Sequence, residues 1–379
     1  MKHRKITSAG PSITQLEIDF VSEAIREGWQ DKMNWYIDRF IEEFSRYVSI
    51  AHCLPTAHCT DAIHLAMLAL DIGPGDEVIV PDLTWVASVA PICYVGATPV
   101  FADVDPVSFC ITAETLERCI TPRTKAVVVV DLLGNMPEWK PILELCRGKH
   151  IRVIEDAAEG LGATYEGRNA GTFGEISLFS FNATKLIMSG QGGALCTEDK
   201  ELYAKARLYS HHGIDKSQSG RYYWSTVLGY NYNWTNIQAA LALAQLRRID
   251  ELLAYKRWLY MEYAKGFSGL DGVALCGAKD NVCATYWIST AIVDPSFKLD
   301  KENLAVEFAK YQIDMRPLFY PVSSMPPFEN YTMGRDMSKI NPVTYAKSRF
   351  GVCLPNGNNL SAEDVAYVCS VFGDILIKA

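Results

Sequence analysis

Between Val78 and Phe181 the chain repeats one pattern, a short and almost wholly apolar run followed by a turn and a stretch with helical spacing. The apolar runs are Val78–Pro81, Thr98–Asp103, Lys125–Val130, Ile151–Asp156 and Leu178–Phe181. Between them lie a helical stretch that runs from Thr84 through Tyr94, then helices over 113–120 and 138–146. Strands that are apolar on both faces are buried on both faces, and strands joined through helices run parallel. The pattern therefore predicts an α/β fold, a mostly parallel central sheet with helices on both faces. In such sheets, ligands collect at the carboxyl ends of the strands.

The flanks extend this frame. Residues 13–28 and 36–48 show helical periodicity, 52–57 reads as a strand and 62–70 as a helix. After a helix over 200–211, a polar loop runs from His211 through Gly220, and the aromatic-polar stretch Gly229–Asn236 opens a helix over 237–253. Beyond about residue 250 the character changes. A long helix to Phe267 precedes a run rich in aromatic and β-branched residues, Ala284–Ser289, which reads as a strand. A helix over 301–311, a turn-rich Arg316–Pro321 and a last helix over 362–377 complete a smaller α+β unit. Two domains are expected, a large one over 1–250 and a small one over 251–379.

Composition narrows the function. A net charge of −8 argues against a nucleic-acid-binding surface, and basic pairs such as Arg247-Arg248 read as solvated faces. No apolar run is long enough to span a bilayer, and Met1–Arg4 lack the apolar core of a signal peptide, so a cytoplasmic location is expected. The 11 cysteines are odd in number and form no C-x-x-C pair, which fits free thiols in a reducing compartment. The 7 histidines do not fall at metal-ligand spacing, so no metal is expected.

The stretch Ser177–Thr197 carries the chemistry. Leu178–Phe181 and Ala194–Cys196 read as buried strands, and the turn between them holds Lys185 and the pair Gly192-Gly193. An unpaired ammonium between buried strands is costly. Either the amine snorkels to water, or it is tied up as an imine with an aldehyde cofactor. Asp156, which ends an apolar strand, needs a cationic partner, and a protonated pyridine nitrogen would be one. Trp85 could stack on a planar ring. Thr60 and Asp61 sit at a strand-to-helix junction where free N–H groups favour phosphate, with the Ser180 hydroxyl nearby; simple helix capping is the alternative for either residue. An aldehyde, a pyridine nitrogen and a phosphate on one ring describe pyridoxal 5′-phosphate.

With these residues in view, the chain resembles the DegT/DnrJ/EryC1/StrS sugar aminotransferases, fold type I enzymes. The resemblance rests on "GPGDEVIVPDLTWVASVAPICYVGATPVFADVD" (73–105), "VIEDAAEGLGATYEGRNAGTFGEISLFSFNATKLIMSGQGGAL" (153–195) and "GYNYNWTNIQAALALAQLRRID" (229–250). The segment "IDMRPLFYPVSSMPPF" (313–328) looks most like the members that aminate a GDP-linked 4-keto-6-deoxy sugar. The resemblance implies that Lys185 forms the Schiff base, Asp156 pairs with the pyridinium, Trp85 stacks on the ring, and Thr60 and Ser180 hold the phosphate. It implies a homodimer with shared active sites, in which Asn233 of one subunit reaches the other's phosphate; many members carry Arg there. Glu159 stands where Gln or His is common near the cofactor's 3′-oxygen. Other departures are His58-Cys59 for Asn-Gly, Gln191 for Glu, and Ser323 near a common histidine. Trp29, His212 and Tyr320 are expected on the substrate side.

The expected reaction is a ping-pong transfer from L-glutamate to C4 of a nucleotide-linked 4-keto-6-deoxy sugar, for surface polysaccharide. The rivals are a UDP- or dTDP-linked acceptor, amination at C3, a silent cofactor-binding protein, and a lyase or desulfurase using Cys59 as nucleophile.

Overall fold

Thr14 and Glu17 form a reciprocal capping box, and the first helix, α1 (Gln15–Glu27), starts there. A stripe of Tyr36, Phe40, Phe44 and Val48 at four-residue spacing buries one face of α2 (Trp35–Val48). The alternation read from the sequence follows as β1 (His52–Thr56), α3 (Cys59–Ala69), β2 (Glu77–Pro81), α4 (Ala90–Tyr94), β3 (Thr98–Ala102), α5 (Ala113–Glu117), β4 (Thr124–Val130), α6 (Trp139–Lys149) and β5 (Arg152–Asp156). Two short strands, β6 (Thr164–Tyr165) and β7 (Arg168–Asn169), precede β8 (Ile176–Ser180), β9 (Gly193–Thr197) and α7 (Lys200–Ser210). This computed structural model describes residues 5–215 and 222–378; Met1–Arg4 and the end of the polar loop expected through Gly220 lie outside the described residues.

The central sheet has 7 strands in the order β1-β9-β8-β5-β4-β2-β3. From β8 to β3 the neighbours run parallel, while β9 is antiparallel to both β8 and β1. Pro55 lies in β1, at the sheet edge, where a missing N–H is tolerated. One apolar cluster covers one face, with Phe40, Phe44, Phe179 and Phe181 in edge and stacked contact. A second, built on Ile63, Met67, Val80, Val128 and Leu178, covers the other. Both faces are buried under apolar side chains, as the continuous apolar strands require.

The remaining elements are α8 (Asn236–Arg247), α9 (Ile249–Gly266), β10 (Val273–Leu275), β11 (Val282–Cys283), β12 (Thr290–Val293), α10 (Lys301–Ala309), β13 (Arg316–Pro317), α11 (Met337–Ile340), α12 (Pro342–Phe350), β14 (Gly351–Cys353) and α13 (Ala362–Lys378). A second, antiparallel sheet runs β10-β12-β14-β13. It shares a third apolar cluster with the distal half of α9 and with α13, built on Leu259, Tyr263, Phe308 and Phe372. Ile6 joins that cluster and bridges to Ile313, so the start of the described chain packs on this sheet. Among the described residues no helix is long and apolar enough to cross a membrane.

Three local expectations differ from the structure. The stretch from Thr84 to Tyr94 is not one helix: a 3-10 turn at Val86–Ser88 precedes the short α4, whose Pro91 sits in the first turn and would break a longer helix. The helix expected over 237–253 breaks at Arg248, which leaves helical geometry at φ −106° and ψ 11°. Its guanidinium is no solvated face: it grips buried Glu17 and the exposed Glu251. Residues 284–289 form no strand. They clamp other loops instead, the Trp287 side chain donating from Nε1 to Thr184 O at 2.7 Å and the Thr285 backbone N–H donating to Gly134 O at 2.8 Å.

Candidate active site

Lys185 lies in the loop over 181–192 that joins β8 to β9. Its Nζ stands 3.2 Å from Oε1 of Glu159 and 3.6 Å from the centroid of the Trp287 ring. Glu159 is 6% exposed, and its other oxygen accepts from Leu133 N at 2.7 Å. Burial pushes the Glu159 carboxyl up, and the charge of Lys185 pulls it back. So Glu159 faces the lysine rather than turning away.

Asp156 closes β5. Its Oδ2 accepts from Ser88 Oγ at 2.7 Å and its Oδ1 from Ala158 N at 3.2 Å. Burial raises its pKa, opposed by those two hydrogen bonds and by Lys185. A carboxylate held this way still lacks a cationic partner of its own, which a protonated pyridine nitrogen would provide. Trp85 precedes the 3-10 turn that carries Ser88, stands 57% exposed, and meets Phe319 at 5.8 Å between ring centroids. An exposed indole there leaves one broad apolar face open to a planar ring.

The turn expected to hold a phosphate is the first turn of α3. Thr60 and Asp61 lie inside that turn and do not cap it, and the N-cap residue His58 makes no side-chain hydrogen bond to it. The unpaired N–H groups of a helix start attract an anion. β9 approaches the turn so closely that a Cβ on Gly193 would lie 2.5 Å from the backbone of Cys59. Gly193 in turn pairs with Ser180, so Ser180 lies on the strand next to the residue that touches this turn. His58 Nδ1 meets Asp61 Oδ2 at 3.1 Å, and burial raises the pKa of Asp61. The donor set, the buried acid and the lysine fit pyridoxal phosphate.

Other expected residues fall elsewhere. Asn233 is exposed and donates to Asn231 Oδ1 at 2.9 Å, so a single chain does not bring it to Lys185. Trp29 donates to Ile25 O at 2.7 Å at the end of α1 and is 57% exposed. His212 is exposed and holds a left-handed backbone at φ 57°. Tyr320 adjoins Phe319, but its hydroxyl is bound to Glu302 at 2.6 Å. Gln191 accepts from Asn182 at 3.1 Å, and Ser323 is buried on Asp82. Cys59 is fully enclosed and burial raises its thiol well above the usual range, which is the opposite of an activated nucleophile.

Three side chains escaped the sequence reading. Ser88 could have been found as the hydroxyl three residues past Trp85. Trp287 was assigned to a strand. Asp131 follows the apolar β4 just as Asp156 ends β5, so the same signal applied to it. Asp131 is fully buried, neither carboxyl oxygen has a hydrogen-bond partner, and burial with Glu155 and Asp156 nearby raises its pKa well above the carboxylate range.

A doubly covered α/β sheet with a lysine beside a buried acid and an uncapped helix start at its strand ends is the framework of a fold type I pyridoxal-phosphate enzyme. Residues 11–372 match the model of the DegT/DnrJ/EryC1/StrS aminotransferase family, and the chain belongs to that family. It is a pyridoxal-phosphate-dependent sugar aminotransferase. It is 37% identical to a GDP-perosamine synthase of Caulobacter vibrioides, over 98% of this chain and 99% of the relative. It is also 37% identical to one of Escherichia coli O157:H7, over 95% of each. Among solved structures, Spr1654 of Streptococcus pneumoniae, described as a sugar aminotransferase, superposes in its PMP-form with a TM-score of 0.91 at 27% identity, covering 99% of this chain and 98% of that one. Its PLP-form gives a TM-score of 0.89 at 28% identity, covering 99% of each.

Proposed function

We propose that this chain moves an amino group from L-glutamate to C4 of GDP-4-keto-6-deoxy-D-mannose, giving GDP-perosamine for surface polysaccharide. The substrate reading is supported by 37% identity to GDP-perosamine synthases along nearly the full chain. The chemical reading is carried by one observation, Lys185 Nζ standing 3.2 Å from Glu159 between two buried strands.

Bound pyridoxal phosphate supplies a ring that accepts the electron pair left when the donor's Cα–H bond breaks. In this reading Lys185 Nζ takes the α-proton of L-glutamate and returns one to the acceptor carbon, serving as base and then acid. Asp156, held by Ser88 and Ala158, keeps the ring nitrogen protonated. Trp85 fixes the plane of the ring. The first turn of α3, with Thr60, Asp61 and Ser180, anchors the phosphate. Glu159 holds the lysine ammonium and lies where it would meet the ring's oxygen. The donor amine is oxidised to the ketone of 2-oxoglutarate, and the sugar ketone is reduced to the amine, so the two half-reactions balance.

The reading includes a homodimer in which Asn233, Trp29 or His212 of one copy borders the other's site. The exposure of Trp85 and of all three residues supports it. In this reading Trp287, from the small unit that begins at residue 251, borders Lys185. Lys185→Ala tests the chemistry: turnover should vanish while the protein still binds the keto sugar nucleotide. Turnover near the normal rate would defeat it.

A further inference from the structure

Asp82 follows β2 directly and is fully buried, yet the chemistry set out above gives it no part. A buried carboxyl is costly unless donors satisfy its oxygens. Those donors come from the far end of the chain. Ser323 N donates to Oδ1 at 2.8 Å, while Ser323 Oγ and Asn341 Nδ2 donate to Oδ2 at 2.7 and 2.9 Å. The main-chain oxygen of Asp82 accepts from Val322 N at 2.9 Å. Burial raises the pKa of Asp82, and the donors from Asn341 and Ser323 oppose the rise.

Two segments meet at this hub. On one side Asp82 heads the loop that carries Trp85 and then Ser88, which is bonded to Asp156. Thr84 and Ser88 close that loop on itself, their hydroxyl oxygens 3.1 Å apart. On the other side, the stretch over 318–323 is pinned at both ends. Lys301 Nζ donates to Leu318 O at 2.8 Å and Ser348 Oγ to Phe319 O at 2.6 Å, while Asp82 holds Val322 and Ser323. Between the pins the Phe319 ring meets Trp85, with centroids 5.8 Å apart and planes at 50°. An exposed indole left to itself samples several rotamers, and a fixed ring against it selects among them.

We propose that Asp82 is a positioning residue: by holding the 318–323 stretch against its own loop, it fixes the Trp85 indole in the orientation that stacks on the cofactor ring. The inference rests on the cofactor reading and adds to it the way the small unit reaches the ring. Asp82 acts through Phe319 and Trp85, and not by contact with the reacting atoms. Ser323, a departure from the family pattern, has its role here as the source of two of the hub's hydrogen bonds.

The test is an equilibrium titration of the apo-protein with pyridoxal phosphate, for wild type, Asp82→Asn, Trp85→Ala and the double variant. The circular dichroism of the cofactor band is read at saturation. Both oxygens of Asp82 face donors, so an amide nitrogen in either place meets another donor and opens the clamp. Asp82→Asn should raise the half-saturating cofactor concentration about three- to tenfold, the scale of one aromatic contact, and weaken the dichroism of the bound cofactor. In the Trp85→Ala background the same change should shift it by less than about twofold. Ser323→Ala keeps the carboxylate and removes one donor; it should shift affinity in the same direction by less, and its own cycle with Trp85→Ala carries the test if Asp82→Asn does not fold. An equal shift in both backgrounds is general loosening and overturns the proposal. So does unchanged affinity and dichroism at a lowered thermal midpoint. Wild-type protein that gives no band with pyridoxal phosphate overturns the cofactor reading, and the inference with it.

Discussion

Removing the carboxylate of Glu17 should cost stability at neutral pH, and the cost should fade in acid. Glu17 is 1% exposed, accepts from Arg248 Nη1 at 2.6 Å and from Gln245 Nε2 at 2.7 Å, and closes the capping box with Thr14 at 2.7 Å. Burial alone would raise its pKa, but these donors hold it down, from 4.5 to about 2. A depression of that size corresponds to about 3 kcal/mol, taken down to about 2 kcal/mol for screening at the open side of Arg248. Because the folded-state value lies below the unfolded one, this stability is fully present above pH 4.5 and is lost as pH falls toward 2. The assay is the thermal midpoint of Glu17→Gln against wild type at fixed protein concentration. A gap of a few degrees should hold from pH 7 to pH 5, with roughly two-fifths of it closed by pH 3.5. A gap that is absent at pH 7, or that does not narrow in acid, refutes the reasoning.

Two further outcomes follow from the site. Asp156→Asn should lower turnover by about two to three orders of magnitude, with the cofactor band shifted but the cofactor retained, since the carboxylate acts on charge in the reaction and not on anchoring; spectra and steady-state rates on one preparation check this. Gly193→Ala should weaken cofactor binding by about tenfold or more, because the new Cβ would lie 2.5 Å from the first turn of the phosphate cradle; equilibrium titration of the apo-protein with pyridoxal phosphate measures it.

The sheet and its ligand edge were legible because continuous apolar strands have few alternatives to burial on both faces. Lys185 and Asp156 were legible for a related reason, since a charge placed against such strands demands a partner. Thr60 and Asp61 were ambiguous between capping and phosphate binding, and the absence of a side-chain cap on α3 favours the phosphate. What the sequence hid was long-range. The break at Arg248 depends on a carboxylate 231 positions earlier, and arginine is otherwise a good helix former. Ala284–Ser289 has strand composition, but β-propensity reports fitness for a half-buried surface, and these residues found that surface in the loops around Glu159 and Thr184 rather than in a ladder. Asn233, Trp29 and His212 are exposed in a single chain, so no reading confined to that chain brings them to Lys185.

The most direct test of the account follows the cofactor absorbance of the loaded protein. L-glutamate is added first, and keto sugars on GDP, dTDP and UDP are then offered in turn. The account predicts loss of the band with glutamate and its return with the GDP-linked 4-keto-6-deoxy sugar. Return only with a dTDP- or UDP-linked sugar, or a band that glutamate leaves intact, would contradict it.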